Sequence, residues 1–160
     1  MTFNVALIVL SDRAASGERS DACIPVVKER LGGAYSIVRE SIIPDDPALL
    51  QAQLIELADS RTADLVLTSG GTGLSTRDRT PQATAAVLDY EVPGIAEAMR
   101  AASLLHTKTA MLSRALAGVR DRTLIINLPG SPKAVAETLD VVLSTLPHAL
   151  ELLADRPVDG

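Results

Sequence analysis

The chain of 160 residues has no tryptophan, one phenylalanine (Phe3) and two tyrosines (Tyr35 and Tyr90), and its net charge is −5. Proteins that grip nucleic acid neutralise phosphates with basic side chains and stack bases on aromatic rings. Few rings and an acidic balance exclude that class, so no nucleic-acid partner is expected. The single cysteine, Cys23, excludes an internal disulfide and fits a reducing compartment. It lies in an apolar helical stretch, where a thiol is ordinarily buried and inert. The two histidines, His106 and His148, have no spacing that suggests a zinc site or a Ser-His pair. Packing or surface roles are expected for both.

Long apolar runs are absent too. None approaches the ~18 residues that a membrane-spanning helix needs. Residues 5–10 are apolar, yet they lack a preceding basic segment and a small-residue cleavage site, and they end in Ser11-Asp12-Arg13. A strand is expected there rather than a signal, in a cytoplasmic protein with no membrane partner. What is abundant is core material: 47% of the residues are hydrophobic. That suits one domain, 1–160, with its sheet covered on both sides.

The most informative stretch is Thr68-Ser69-Gly70-Gly71-Thr72-Gly73-Leu74-Ser75-Thr76-Arg77-Asp78-Arg79-Thr80-Pro81. A glycine turn leaves a buried apolar run and presents hydroxyls and an acid just before a helix, with Thr80 as cap and Pro81 at the first helical position. Backbone N–H groups without Cβ atoms around them approach an anion closely, so the segment reads as a phosphate-handling loop. No lysine follows the glycines, which excludes a nucleotide P-loop. Thr76 stands where the third glycine of a dinucleotide fingerprint belongs, which argues against a dehydrogenase. The nucleophile-elbow pattern G-x-S-x-G is absent as well.

Apolar strands alternate with amphipathic helices along the chain. The pattern predicts strands at 5–10, 35–43, 64–68 and 123–128, with helices at 22–31, 47–58 and 81–88. A final helix is expected from Pro132 to about Leu153, since Val135, Leu139, Val142, Leu146, Leu150 and Leu153 keep helical spacing. Between them, a helix from Pro93 through Arg100 and a short one over 113–116 are expected. This is βαβ order, and it implies an α/β, three-layer fold: a mostly parallel sheet with helices on both faces. Ligands of such sheets bind at the carboxyl ends of the strands. That rule gathers Ser11-Asp12-Arg13, Pro44-Asp45-Asp46, the glycine turn and Asn127-Leu128-Pro129-Gly130-Ser131 at one edge.

Several of these residues suit two roles. Asp45 and Asp78 each follow a strand, and two carboxylates near phosphates suit Mg²⁺; Asp45 or Asp46 before Pro47 also suits a helix cap, and Asp78 suits a turn. Ser11, Asp12 and Arg13, with Gly17 and Asp21, form either a ligand loop with a forked phosphate donor or a solvated turn. Ser131 and Lys133 open a helix, where they hold an anion or simply cap it. Arg100 and Arg114 are further candidates for anion contacts, but a surface helix would carry these charges, like Glu91 and Glu97, in any case.

Taken together, the blocks Leu10-Ser11-Asp12-Arg13, Ile43-Pro44-Asp45-Asp46, Ser69-Gly70-Gly71-Thr72-Gly73 with Arg77-Asp78 and Thr80-Pro81, Val92-Pro93-Gly94, and Asn127-Leu128-Pro129-Gly130-Ser131-Pro132-Lys133 resemble the molybdopterin adenylyltransferase family of molybdenum cofactor biosynthesis. The resemblance covers most of the chain. It implies a single α/β domain, usually a trimer and otherwise a hexamer, that transfers AMP from Mg-ATP to the terminal phosphate of molybdopterin and releases pyrophosphate. A molybdate-insertion enzyme would then be the downstream partner. The resemblance puts Asp45 and Asp78 on the functional aspartates, catalytic and Mg²⁺-binding, and implies substrate contacts for Ser11, Asp12, Gly70, Gly71, Thr72 and Ser131. Gly73 belongs to the same turn, while Arg13 and Lys133 join the substrate-binding set on charge and placement. Thr76 departs from the family, in which many members carry proline there. Family members also include pterin binders without transfer activity, so a molybdopterin carrier is the alternative.

Overall fold

The computed structural model describes residues 2–155. Among them six strands, β1 (Phe3–Leu10), β2 (Tyr35–Ile43), β3 (Leu65–Ser69), β4 (Tyr90–Glu91), β5 (Ala117–Arg120) and β6 (Thr123–Leu128), form one sheet in the order β2-β1-β3-β6-β5-β4. Strands β2, β1, β3 and β6 run parallel, whereas β5 is antiparallel to β6 and β4 to β5. Side chains alternate between the faces of a strand. In β1, Val5, Leu7 and Val9 therefore enter one apolar cluster and Ala6, Ile8 and Leu10 the other. Strands β3 and β6 repeat the division with Leu65 and Leu67 against Val66, and with Leu124, Ile126 and Leu128 against Ile125.

Helices cover the two faces: α1 (Asp12–Ala15), α2 (Cys23–Leu31), α3 (Pro47–Asp59), α4 (Thr80–Val87), α5 (Pro93–Leu104), α6 (Pro132–Val142) and α7 (Leu146–Ala154). Helices α3 and α4 place Leu50, Leu54, Leu57, Ala83 and Val87 on one side. Helices α2, α5, α6 and α7 supply Val27, Met99, Val135, Leu139, Leu146 and Leu150 on the other. The expected three-layer α/β arrangement is present. Because the chain leaves β1 toward β2 on one side and leaves β3 toward the β4–β6 side on the other, the switch point opens between the ends of β1 and β3.

Four sequence expectations differ from the structure. Thr80, expected as the cap of α4, is its first residue and makes no capping bond, so that Pro81 stands second. The final helix is two helices, for Pro147 lacks an N–H and its ring would collide with the Leu143 carbonyl in a continuous helix. The chain turns instead, Thr145 donating its N–H to Val142 O (3.0 Å). Residues 113–116 are irregular rather than helical: Arg114 N–H donates to Thr72 O (2.9 Å), and Leu116 N–H donates to Asn127 Oδ1 (3.3 Å). These bonds tie the segment between the glycine turn and β6. The antiparallel strands β4 and β5 are additional to the expected elements, and a 3₁₀ turn (Lys108–Leu112) follows α5, which itself runs on to Leu104.

Asn127 is the polar pin of the sheet. Fully buried, it donates through Nδ2 to Thr68 Oγ1 (3.0 Å) and Thr84 Oγ1 (3.1 Å), joining β6, β3 and α4. Asn127→Ala would orphan both hydroxyls and the Leu116 N–H, and would leave a cavity. A loss of about 2–3 kcal/mol is expected in urea unfolding.

Candidate active site

Each strand exit at the carboxyl edge is shaped by a local bond. Ser11 N–H donates to Ile43 O (3.0 Å), joining the ends of β1 and β2, and Gly70 N–H donates to Leu128 O (3.2 Å), joining β3 and β6. Ser69 Oγ donates to Pro129 O (2.7 Å). Gly70 (φ +100°) and Gly71 (φ +72°) take the left-handed conformations that glycine alone adopts freely. A Cβ on Gly70 would overlap the Leu10 carbonyl oxygen, and one on Gly130 would lie 3.4 Å from Gly70 Cα. The turn is therefore a thin ridge of backbone packed against its neighbours.

A cavity lies on each side of this ridge. The larger, about 450 Å³, is lined by Ser11, Arg19, Asp21, Asp45, Ser69, Gly70, Gly71, Asp78 and Gly130, among others. The second, about 310 Å³, holds Thr72, Gly73, Met99, Arg100, Ser103, Ser131 and Glu137 in its wall. Arg114 braces the turn from behind, donating through Nε to Gly73 O (2.9 Å) and through Nη2 to Asp78 O (2.6 Å). Arg100 is similarly committed, with Nη1 donating to Ala115 O (2.7 Å).

Asp46, not Asp45, caps α3, accepting N–H bonds from Ala48 (2.9 Å) and Leu49 (3.4 Å). Asp45 is left to face the larger cavity. It exchanges bonds with Asp12: Asp45 N–H donates to Asp12 Oδ1 (2.9 Å), and Asp12 N–H donates to Asp45 Oδ2 (3.3 Å). Arg77 closes the arrangement with a forked pair to Asp12, Nε to Oδ2 at 3.0 Å and Nη2 to Oδ1 at 2.8 Å. Asp78 Oδ2 accepts the Ser75 N–H (3.0 Å), which closes the loop, and the carboxylate also faces the larger cavity.

The sequence-derived candidates divide by place. Ser11, Asp45, Gly70, Gly71 and Asp78 line the larger cavity, and Thr72, Gly73 and Ser131 the smaller. Ser131 caps α6, its Oγ accepting the Ala134 N–H (3.3 Å). Asp12 stands behind Asp45, engaged by Arg77. Arg13 is exposed and lines neither cavity, and Lys133 lies on another flank, 4.0 Å from Glu137. The basic group at the larger cavity is Arg19, whose Nη2 donates to Ser11 Oγ (3.5 Å). In the sequence only Gly17, marking a turn, hints at it. Cys23 is buried in the same wall, its Sγ 3.4 Å from the Gly130 carbonyl, and burial pushes its thiol pKa up.

The donor set at Asp45 suits a hard cation. Carboxylates of Asp45 and Asp78 supply anionic oxygens on the wall of the larger cavity, while the buried Thr80 Oγ1, which has no hydrogen-bond partner, packs against the bare Cα of Gly71. Among the described residues no three His, Cys, Asp or Glu side chains gather around one point. Mg²⁺ ordinarily takes one or two carboxylates and completes its shell with substrate phosphates and water. These residues fit that habit.

With this geometry, comparison with known proteins is specific. A family profile described as "Probable molybdopterin binding domain" matches residues 6–148. The chain belongs to this molybdopterin-binding family. Curated relatives include the molybdopterin adenylyltransferase of Escherichia coli K12, 41% identical over 95% of this chain and 86% of that protein, and the one of Helicobacter pylori J99, 39% identical over 95% and 88%. Among solved structures, the molybdopterin biosynthesis enzyme MoaB of Thermus thermophilus superposes with a TM-score of 0.91 at 48% identity, covering 98% of this chain and 99% of that one. The tungsten cofactor synthesizing protein MoaB of Pyrococcus furiosus superposes with a TM-score of 0.86 at 34% identity, covering 96% and 98%. The family match spans the glycine turn, both aspartates and all four parallel strand exits.

The electrostatics of the family site are strained by like charge. Burial raises the Asp45 pKa, and the nearby Asp12 and Asp78 charges add to it, against the bond from Asp12 N–H. Asp12 itself is held below the usual carboxylate range by Arg77. A raised pKa in the fold means that Asp45 contributes stability below its ordinary pKa and loses it as pH rises through the folded value. Asp45→Asn is therefore expected to raise the melting temperature of the metal-free protein at about pH 7, with the gain fading toward about pH 4. Melts across that range check the sign. Gly71→Ala would press a Cβ onto Thr80 Oγ1 at a left-handed φ, so substrate binding should fall by about tenfold or more, read by calorimetry, with the sheet intact.

Proposed function

We propose that this protein is a molybdopterin adenylyltransferase, which joins AMP from Mg-ATP to the terminal phosphate of molybdopterin and releases pyrophosphate. The observation that carries the reading is the pairing of glycines and carboxylates at the ridge. A Cβ on Gly71 would lie 3.4 Å from Asp45 Oδ1, and one on Gly73 would lie 3.0 Å from Asp78 Oδ2. Two carboxylates thus face bare backbone between two cavities, one for each substrate. The relatives named molybdopterin adenylyltransferase support it at about 40% identity over nearly the whole chain.

In the transfer, an oxygen of the molybdopterin phosphate attacks the α-phosphorus of ATP, and the bond from that phosphorus to the oxygen bridging to the β-phosphate breaks. The electron pair leaves with pyrophosphate. The nucleophile is already an anion and needs no strong base, so the protein's work is to bring two anions into line. Backbone N–H groups of the ridge and the Arg19 guanidinium receive phosphate oxygens, while the Asp12–Arg77 pair fixes the orientation of Asp45. Asp45 and Asp78 would hold the Mg²⁺ of Mg-ATP, which would supply charge neutralisation at the phosphates. Ser11 and Ser131 offer hydroxyls to the substrates in the respective cavities, and Thr72 shapes the wall of the smaller one. The same reading includes a cytoplasmic single domain assembled as a homotrimer or hexamer, with a molybdate-insertion enzyme receiving the adenylylated product.

A carrier that binds molybdopterin without turning over ATP is the second reading. It is favoured by the family description, which names binding and no transfer. Incubation with molybdopterin, Mg²⁺ and ATP labelled at the α-phosphate separates the two. Label in a molybdopterin–AMP product with equal pyrophosphate release is expected, and binding without label supports the carrier. Asp78→Asn should lower transfer by about 10²–10³-fold while leaving molybdopterin binding within about threefold. Unchanged turnover removes Asp78 from the mechanism.

A further inference from the structure

Among the described residues that line the smaller cavity, two carry charge, Arg100 and Glu137, and their surroundings differ. Arg100 is engaged by the Ser113 and Ala115 carbonyls, at 3.4 and 2.7 Å. Glu137 has no such commitment. Its side chain is 18% exposed and accepts no hydrogen bond from the described residues; the nearest basic nitrogens, His106 Nδ1 at 3.7 Å and Lys133 Nζ at 4.0 Å, lie beyond hydrogen-bond reach. A largely buried carboxylate ordinarily finds donors. The rest of the wall is neutral. Met99, Ala96 and Ala115, all 3% exposed or less, supply apolar surface, and Ser103 and Ser131 add hydroxyls. An apolar cavity with one unengaged carboxylate suits a flat ring that carries adjacent N–H donors on one edge.

We propose that Glu137 reads the 2-amino-4-oxo edge of the pterin, accepting its N3–H and 2-amino N–H as a forked pair, so that the smaller cavity holds molybdopterin and the larger holds Mg-ATP. The proposal rests on the adenylyltransferase reading for its two ligands and adds which cavity takes which. The rings differ at the decisive edge. A pterin presents N3–H and its 2-amino group side by side, two donors that match the two oxygens of one carboxylate. Adenine presents its amino group beside the N1 lone pair, which a carboxylate repels. Spacing agrees with the assignment: Glu137 stands six positions past Ser131 along α6, roughly 9 Å of helix. A fused ring seated at Glu137 therefore leaves its phosphate arm within reach of Ser131 and the ridge. The more highly charged ligand falls to the larger cavity, where Arg19 stands.

The test is equilibrium dialysis of molybdopterin against the full chain without ATP, with bound pterin counted after oxidation to its fluorescent form. Glu137→Gln keeps the shape and exchanges one acceptor for a donor, so it should weaken molybdopterin binding by about tenfold or more, while ATP binding, read by calorimetry, stays within about threefold. Competitors separate a reading carboxylate from a merely structural one. Pterin (2-amino-4-oxopteridine) should displace molybdopterin from the unaltered protein at about a tenth of the concentration needed by lumazine, which carries a carbonyl in place of the amino group. In Glu137→Gln the two competitors should come within about threefold of each other. Equal competition or none in the unaltered protein overturns the proposal, whether or not the variant folds. Molybdopterin binding by Glu137→Gln at the unaltered strength overturns it too, as does a loss of ATP binding in its place. Scoring AMP transfer in parallel separates the two claims. Glu137-dependent choice of pterin over lumazine without transfer keeps the assignment of the pterin and removes the transferase reading; transfer with Glu137-independent binding does the reverse.

Discussion

The close approach of three backbones at Gly70 is the constraint on which the rest depends. Gly70 lies against the Leu10 carbonyl and Gly130, so the exits of β1, β3 and β6 meet with no side chain between them. Register in the parallel sheet sets this meeting, with Val9 opposite Ser69 and Ser69 opposite Leu128. A ridge one backbone thick follows. Two cavities can then share a wall, and a ligand on one side comes near a ligand on the other. The proposed transfer between two anions would need that nearness more than an unusual functional group.

Charge poses the opposing problem. The chain has a net charge of −5, and Asp12, Asp45 and Asp78 crowd the strand exits. The structure separates their roles by hydrogen bonding. Asp46 is consumed as a helix cap, Asp12 is neutralised by the Arg77 fork, and Asp45 stays on the cavity wall with Asp12 N–H as its support. Arginines that look free in the sequence are committed as well. Arg114 and Arg100 bind backbone carbonyls and hold the walls, so that Arg19 alone among them turns toward the larger cavity.

Much of this is legible in the sequence because the parallel strands are buried on both faces and read as apolar runs, and because helix starts carry proline. Asp45, Asp78 and the glycine turn stand at strand ends, where ligand sites of open sheets lie. The hidden parts have physical reasons. Strand β4 spans two residues, and β5 contains Gly118, whose missing Cβ makes room for the Leu88 side chain and the Tyr90 carbonyl rather than signalling a strand. Residues 113–116 have helical composition but spend their N–H groups on Thr72 and Asn127. Arg19 reaches the cavity through a turn, its N–H donating to Arg13 O (3.2 Å), and no spacing rule separates it from exposed Arg13.

Placing crowded carboxylates, left-handed glycines and an unpaired hydroxyl in one region costs stability. The fold confines that cost to the strand exits, directly above its most completely buried layer. Leu7, Ile8, Leu65, Val66, Ile125 and Ile126 are all 2% exposed or less and belong to the three strands that carry the ridge. Asn127 and Arg114 add bonds at the seam between that layer and the turn. The strained conformations therefore persist because rigid strands over-determine them, and the carboxylates stay on an open cavity wall.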